Sequence, residues 1–256
     1  MNNQFLFKFK TDLSCIDIPL KLNNPFYTKL SEIAEIAAKE FQEFISLESK
    51  KWDYDFSLQR GKMFGVLVVR NIDNTYYFLG TVSGKLPKGV ICGKLIPSVF
   101  SESTDNFFIN KGMVRLSELG NKIKQSNSHS EIIFLKEERK QKSVSLQTKL
   151  FENYRFKNLS GKQKNILEIF DESGHGKPPA ASGECAAPKL LQYAIENQLK
   201  PIALTEFWWG SSAENKEKEN RAYYPACKNR CRPILEYMLE DTELYNKKEV
   251  ETKAKE

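Results

Sequence analysis

The spacing of hydrophobic residues predicts several elements in the N-terminal part of the chain. Phenylalanines at every second position over 5–9 predict a short strand or an extended packing arm. Apolar residues recur at intervals of three and four across 28–47, which predicts an amphipathic helix facing a core. Two β-branched and aromatic runs, 63–70 and 75–82, flank a short polar segment and predict a β-hairpin. A short strand is also predicted at 90–92.

The middle of the chain is predicted to be helical and to leave the core. Helical spacing is present over 113–123 and again over 131–154, and helical character continues over 162–170. The stretch 136–143 contains no apolar residue, so it cannot lie in a core and must face solvent or a partner. The region 111–172 is therefore predicted to project, at least in part, from the rest of the protein.

The C-terminal third returns to a core-forming pattern. A helix is predicted from Cys185 to Leu199, with Pro188 in its first turn, where a missing N–H is tolerated. The apolar and aromatic run 201–209 predicts a strand, and Pro233 marks the start of a last helix. Residues 241–256 are charged without a core pattern and predict a flexible tail.

These elements predict an α+β protein in which a mixed sheet packs against helices and a helical hairpin projects. The sheet would include the hairpin at 63–82 and the strand at 202–209, and the main helices would be 28–47, 186–199 and 233–240. The predicted organisation is an N-terminal α/β part at 1–110, a basic helical insertion at 111–172, a cysteine-bearing part at 173–240 that completes the same core, and the tail at 241–256.

Composition narrows the class of protein. Of the 256 residues, 40% are hydrophobic and 12% aromatic, which excludes a wholly disordered chain. No apolar run approaches the roughly 20 residues that span a bilayer, and the first residues lack the pattern of a secretory signal. The odd number of cysteines, five, argues against a disulfide framework. We therefore expect a cytoplasmic protein without a membrane partner.

Positive charge is concentrated in one region. The net charge is +6, and residues 136–164 alone hold nine basic and three acidic side chains. Such an excess attracts phosphates and is the usual basis of nucleic-acid affinity, although a solvated helix face gives the same pattern. The candidate RNA-binding residues are Lys136, Arg139, Lys140, Lys142, Lys149, Arg155 and Lys157.

Three cysteines and a histidine form a candidate metal site. His175, Cys185, Cys227 and Cys231 supply the ligand types of tetrahedral zinc. The predicted helix N-terminus at Cys185 favours a thiolate, and the three residues between Cys227 and Cys231 allow both sulfurs to face one point. The alternative is that these are structural cysteines and a loop histidine without metal.

The order of the predicted elements is similar to the cytidine-deaminase-like fold. In that fold a His- or Cys-x-Glu motif and a Pro-Cys-x-x-Cys motif hold one zinc, and the glutamate transfers protons. Here Ala187 stands two residues after Cys185, the spacing of Cys227 and Cys231 is longer, and Glu184 precedes the first cysteine. One alternative function is therefore a divergent zinc-dependent, deaminase-like hydrolase that relies on these cysteines and Glu184.

Long motifs in the C-terminal third are the most recognisable part of the sequence. They are PPAASGECAAPKLL at 178–191, EFWWG at 206–210, YPAC at 224–227, and Cys231 with PIL at 233–235, and GKMFGVLVV at 61–69 and SLQTKLF at 145–151 accompany them. Together they resemble the non-catalytic N-terminal region of RluA-type RNA pseudouridine synthases from one bacterial lineage. The resemblance extends from about residue 5 to about residue 240.

The resemblance implies a role in RNA modification but not catalysis by this chain. The family isomerises uridine through the aspartate of a His-Arg-Leu-Asp motif and without a metal. The two histidines, His129 and His175, are followed by Ser130 and Gly176, so no catalytic residue is assigned. We expect an accessory RNA-recognition module whose target is ribosomal or transfer RNA. The alternative is a protein-interaction module that docks a separate synthase domain through the polar helix.

Overall fold

The computed structural model describes residues 3–27, 29–87, 90, 92–100, 107–212 and 218–240. The described helices are α1 (Glu32–Glu48), α2 (Phe107–Gln125), α3 (His129–Asn153), α4 (Ile166–Glu172), α5 (Ala186–Glu196) and α6 (Arg232–Met238). The strands are β1 (Phe7–Lys8), β2 (Lys62–Arg70), β3 (Tyr76–Val82), β4 (Arg155–Lys157), β5 (Gln163–Asn165), β6 (Lys200–Trp209) and β7 (Tyr223–Tyr224).

The main sheet has five strands in the order β1-β3-β2-β6-β7. The ladders between these strands are antiparallel, and the single bridge between Arg60 and Ser211 is parallel. β4 and β5 pair separately as a small two-stranded sheet. The sheet with its packed helices confirms the predicted α+β class, and the predicted hairpin and C-terminal strand correspond to β2, β3 and β6.

Helix α1 covers one face of the main sheet. Its buried residues pack with Phe64, Phe78 and Phe207 in one apolar cluster. Phe41 is fully buried, and a Cβ at Gly80 would collide with its ring. Glycine at position 80 therefore allows the helix to lie close against β3.

Helix α5 covers the opposite face, together with α4, α6 and β4. Gly65 of β2 lies opposite Glu206 of β6 in the strand register. A Cβ at Gly65 would lie 2.7 Å from the Cβ of Ala186, which is closer than real carbon contacts. The missing side chain therefore lets the N-terminus of α5 approach the sheet beside Glu206.

The helical hairpin consists of α2 and α3, which pack on each other. Its attachment to the body is at the end of α3, where Phe151 is buried in the α5-side cluster and α3 contacts α4 and β5. The polar stretch 136–143 lies in α3, mostly exposed, as its lack of apolar residues predicted. No helix among the described residues is long and apolar enough to cross a membrane.

The segment after the hairpin differs in part from the prediction, which gave helical character over 162–170. Residues 155–157 and 163–165 pair as β4 and β5, and α4 begins only at Ile166. Asn165 caps α4 through a capping box with Glu168, which fixes the helix start there. Position 91 of the predicted strand at 90–92 and the tail at 241–256 lie outside the described residues.

Candidate functional site

A pocket of about 580 Å³ opens where the start of α5 meets β2, β6 and the turn before α6. Its lining brings thiols and carboxylates together with four cationic side chains. The residues that matter for its chemistry are Cys185, Cys227, Glu184, Glu206, Trp208, Arg60, Lys62, Lys218 and Arg230. A second pocket of about 650 Å³ beside Trp52 and Trp209 contains no thiol in its lining.

Three of the predicted metal ligands are brought together by the fold. Cys185 is the N-cap residue of α5, and Cys231 is the N-cap residue of α6. Cys227 precedes α6 by one turn, and its carbonyl accepts a hydrogen bond from the Cys231 N–H at 3.2 Å. Each of the three thiols interacts with the other two, so segments distant in sequence meet at one point.

The hydrogen bonds divide the charge unequally among the three sulfurs. Thiol donation from Cys185 and Cys231, with help from the Arg230 N–H, lowers the pKa of Cys227 well below its ordinary value. The bond to Cys227 raises the pKa of Cys185 to about 12, and the bond to Cys185 raises the pKa of Cys231 strongly. These contacts favour the thiolate form at Cys227, whereas the helix N-terminus alone favoured it at Cys185.

Glu206 is the site residue that the sequence analysis missed. Its side chain is buried, and its Oε1 accepts a hydrogen bond from the Ala187 N–H at 3.0 Å. Burial raises the pKa of Glu206 to about 7, because the charged carboxylate is poorly solvated there. A single charged residue within the mostly apolar run 201–209 was the available signal. Position 187, where the deaminase-type motif has a glutamate, is an alanine here. Its backbone N–H instead donates to the carboxylate of Glu206 on β6.

Glu184, the carboxylate that the sequence analysis proposed, is engaged in local structure. Its side chain accepts hydrogen bonds from the Tyr154 hydroxyl and from Ser98 Oγ, the latter at 2.7 Å. Its carbonyl accepts from the Gly84 N–H at 2.7 Å. These bonds connect the loop before α5 to the C-terminal end of α3, to the segment 92–100 and to Gly84 just after β3, so Glu184 positions the wall of the pocket.

His175 does not join the cysteines. It is exposed, its Nδ1 lies 3.1 Å from the Ser173 carbonyl oxygen, and its ring packs edge-on against Phe170. Within the described ranges, no group of three or more His, Cys, Asp or Glu side chains has a metal-holding arrangement. The predicted His-Cys-Cys-Cys set is therefore not assembled, although its three cysteines are in contact.

The cations of the pocket give it positive character. Burial, with a smaller effect of the neighbouring Arg60, lowers the pKa of Lys62. The Lys218 ammonium lies 4.2 Å from the centre of the Tyr224 ring and 5.6 Å from that of Trp208. The pocket therefore combines positive charge with an indole ring, which suits an anionic ligand or a ligand that binds a cysteine thiolate.

The predicted RNA-binding residues lie mainly along α3. Six are exposed, and Lys157 is half-buried on β4. Lys140 pairs with Glu137 at 3.8 Å, Lys142 pairs with Glu138 at 3.7 Å, and Arg139 Nε donates to the Leu116 carbonyl at 3.4 Å. Part of the charge on this helix is thus balanced locally.

Two of these residues line a groove between the two helices of the hairpin. Lys142 and Lys149 of α3 face it with Lys111 and Arg115 of α2, and its volume is about 340 Å³. Position 112 is a glycine there, and a Cβ would lie 2.7 Å from Leu146, so the helices are close at this point. The sequence analysis missed the α2 cations because it considered only the positive excess after residue 135.

No family model, no curated protein and no solved structure matches this chain. Two sites built by the fold carry its candidate functions: the thiol-lined pocket and the hairpin groove.

Proposed function

We propose that this protein is a non-catalytic RNA-recognition module that acts in RNA pseudouridine synthesis. The observation that supports RNA binding is the groove between α2 and α3, where Lys111, Arg115, Lys142 and Lys149 converge from two helices. The link to pseudouridine synthesis depends on the sequence motifs that resemble RluA-type synthases. Catalysis would come from a separate synthase domain, because no His-Arg-Leu-Asp motif is in this sequence.

The charge of the hairpin supports a polyanionic ligand. Residues 107–153 hold nine lysines and arginines and five acidic residues. Within the described part of the chain, Lys111 and Lys149 form no ion pair. Arg115 contacts Glu118 at 3.1 Å and Glu138 at 3.6 Å, and Lys142 contacts Glu138 at 3.7 Å. Exposed ion pairs contribute at most about 1 kcal/mol each, so a phosphate can displace the two glutamates at little cost. The groove therefore offers four cations to a phosphate backbone.

The lining of the groove combines cations with apolar and aromatic side chains. Phe108 and Leu146 form its apolar lining beside the cations. Base-to-aromatic stacking is tolerant of sequence, and phosphate contacts give most of the affinity of such surfaces. We therefore propose recognition of RNA shape and charge, with ribosomal or transfer RNA as the target. A cytoplasmic location fits the five free cysteines.

The test is RNA binding as a function of salt, measured by fluorescence anisotropy with a structured RNA. In the variant Lys111→Gln/Lys149→Gln, we expect weaker binding and a log–log salt slope lower by about 0.7–0.9 per lost phosphate contact. The matched control is Lys122→Gln/Lys124→Gln, which removes the same charge from the end of α2 outside the groove. Equal slopes for the two variants would exclude the groove as the binding surface.

A second candidate function is a zinc-dependent, deaminase-like hydrolase, and the observation that favours it is Glu206. A buried carboxyl with a pKa of about 7 beside the thiols has the properties of a general acid or base. The test is conversion of cytidine, adenosine and RNA by zinc-supplemented protein, with Glu206→Gln as the inactive comparison. Conversion that persists in Glu206→Gln, or no conversion of any substrate, would eliminate this candidate.

A further inference from the structure

The contact of three thiols at the pocket needs an explanation that the RNA-recognition proposal does not give. Cys185 comes from the start of α5, and Cys227 and Cys231 come from the turn into α6. Cys185 and Cys231 are buried, while Cys227 is exposed, and Cys185 and Cys227 line the pocket. The cluster thus has a closed side within the core and an open side toward solvent.

We propose that Cys185, Cys227 and Cys231 bind one zinc ion through three sulfurs and leave a fourth coordination position open to the pocket. Thiolate sulfur is the ligand that zinc and other soft metals prefer. Three protein ligands with one exchangeable position are typical of catalytic zinc, whereas structural zinc has four protein ligands. The position of Cys185 and Cys227 in the pocket wall places the open side where a water or a small ligand can reach it.

Zinc binding would replace the contacts among the three thiols. Each thiol interacts with the other two, and among the described residues no group of three or more His, Cys, Asp or Glu side chains has the arrangement that holds a metal. Zinc would displace the thiol protons, so the sulfurs would turn from one another toward the ion.

The surroundings provide the charge balance and the outer hydrogen bonds that such a site needs. Three thiolates and one zinc ion carry a net negative charge, and Arg60, Lys62 and Arg230 line the same pocket. The Arg230 N–H donates to Cys227 Sγ at 3.5 Å, an outer-sphere bond of the kind that orients metal ligands. His175 is bonded to Ser173, so it is not needed as a ligand.

The first experiment uses the unmodified full chain. We expect about one equivalent of zinc per chain in protein purified under reducing conditions without chelator. In the native protein, bound zinc should protect Cys185, Cys227 and Cys231 from Ellman's reagent until a chelator is added. After zinc removal, cobalt(II) should give a thiolate-to-cobalt charge-transfer band and the visible bands of a tetrahedral ion. This measurement needs no variant and is independent of RNA binding.

Variants then identify the ligands. Cys227→Ser should lose the cobalt charge-transfer band and most of the zinc, and Cys185→Ser and Cys231→Ser should do the same. The matched controls are Cys15→Ser and Cys92→Ser, which remove thiols outside the pocket lining, and His175→Ala. All three controls should retain one zinc per chain. Circular dichroism separates loss of metal from loss of fold, and the result for the unmodified chain stands if a variant unfolds.

Three results would overturn the proposal. The first is unmodified protein that contains no zinc and takes up no cobalt with a charge-transfer band. The second is loss of the metal in His175→Ala, which would restore histidine as a ligand. The third is a disulfide between two of the three cysteines in protein kept under reducing conditions. Failure of RNA binding with zinc retained would leave this site in place and remove only the proposed function.

Discussion

Replacing Glu206 with glutamine should change how the stability of the protein depends on pH. The carboxyl is buried on β6, and its pKa is about 7 against the ordinary value of 4.5. Glutamine keeps the oxygen that accepts the Ala187 N–H but carries no charge at any pH. The substitution therefore removes the ionisation and preserves the shape and the hydrogen bond.

The sign and size of the stability change follow from the linkage between proton binding and folding. Because the folded-state pKa lies above 4.5, the folded protein keeps a proton that the unfolded chain releases as the pH rises from 4.5 to about 7. Stability from this residue is fully present below pH 4.5 and is lost as the pH passes about 7. At about 1.4 kcal/mol per pKa unit, the loss is about 3 kcal/mol.

The assay is urea unfolding of chelator-treated protein at several pH values, with the free energy of unfolding of both proteins measured at each pH. We expect Glu206→Gln to gain about 3 kcal/mol relative to the unmodified protein between pH 4.5 and about 8. The difference below pH 4.5 serves as the control, because it measures the effect of the substitution apart from ionisation. Parallel stability curves across this range would refute the argument that Glu206 is held uncharged by burial.

Three further substitutions or reactions test the fold and the thiols. Phe41→Ala should lower the free energy of unfolding by about 3–5 kcal/mol, because a fully buried ring is lost. The control, Ile72→Ala at an exposed position, should change it by less than about 0.5 kcal/mol. Similar urea midpoints for the two variants would contradict the core assignment. Gly80→Ala should cost about 1–3 kcal/mol because its Cβ meets the Phe41 ring, and an unchanged midpoint would show that α1 moves freely. In chelator-treated protein, iodoacetamide should label Cys227 faster than exposed Cys15, because hydrogen bonds lower the pKa of Cys227; equal labelling by mass spectrometry would contradict the thiolate.

Elements with strong hydrophobic periodicity could be predicted from the sequence. The predicted helix at 28–47 corresponds to α1, and the runs at 63–70 and 75–82 correspond to β2 and β3. Helix α1 buries one face, whereas β2 and β3 are buried on both faces over most of their length, so the hydrophobic pattern of each element reflects its environment. In contrast, β4 and β5 have three residues each and bury chiefly Phe156, which leaves no readable period.

Spacing in the sequence alone could not identify which residues lie beside the three thiols. Nearness in sequence suggested His175 as a partner of Cys185. The end of α4 keeps it elsewhere, because the His175 N–H donates to the Phe170 carbonyl at 3.1 Å and glycines with φ of +72° and +67° flank the residue. Glu206 is closer to the thiols because Gly65 leaves room for its carboxylate to meet α5.

Salt and chelator should affect the two candidate sites differently, so they can show which site a ligand binds. In the hairpin groove, charge is exposed and near water, so its contribution to binding falls as salt rises. In the pocket, Cys185, Cys231 and Glu206 are buried, so their interactions are screened little by salt and depend on pH and, at the proposed zinc site, on metal. A ligand whose affinity is abolished by salt but unchanged by chelator therefore binds the groove. A ligand with the opposite behaviour binds the pocket, and RNA that responds to both would have to contact the hairpin and the body together.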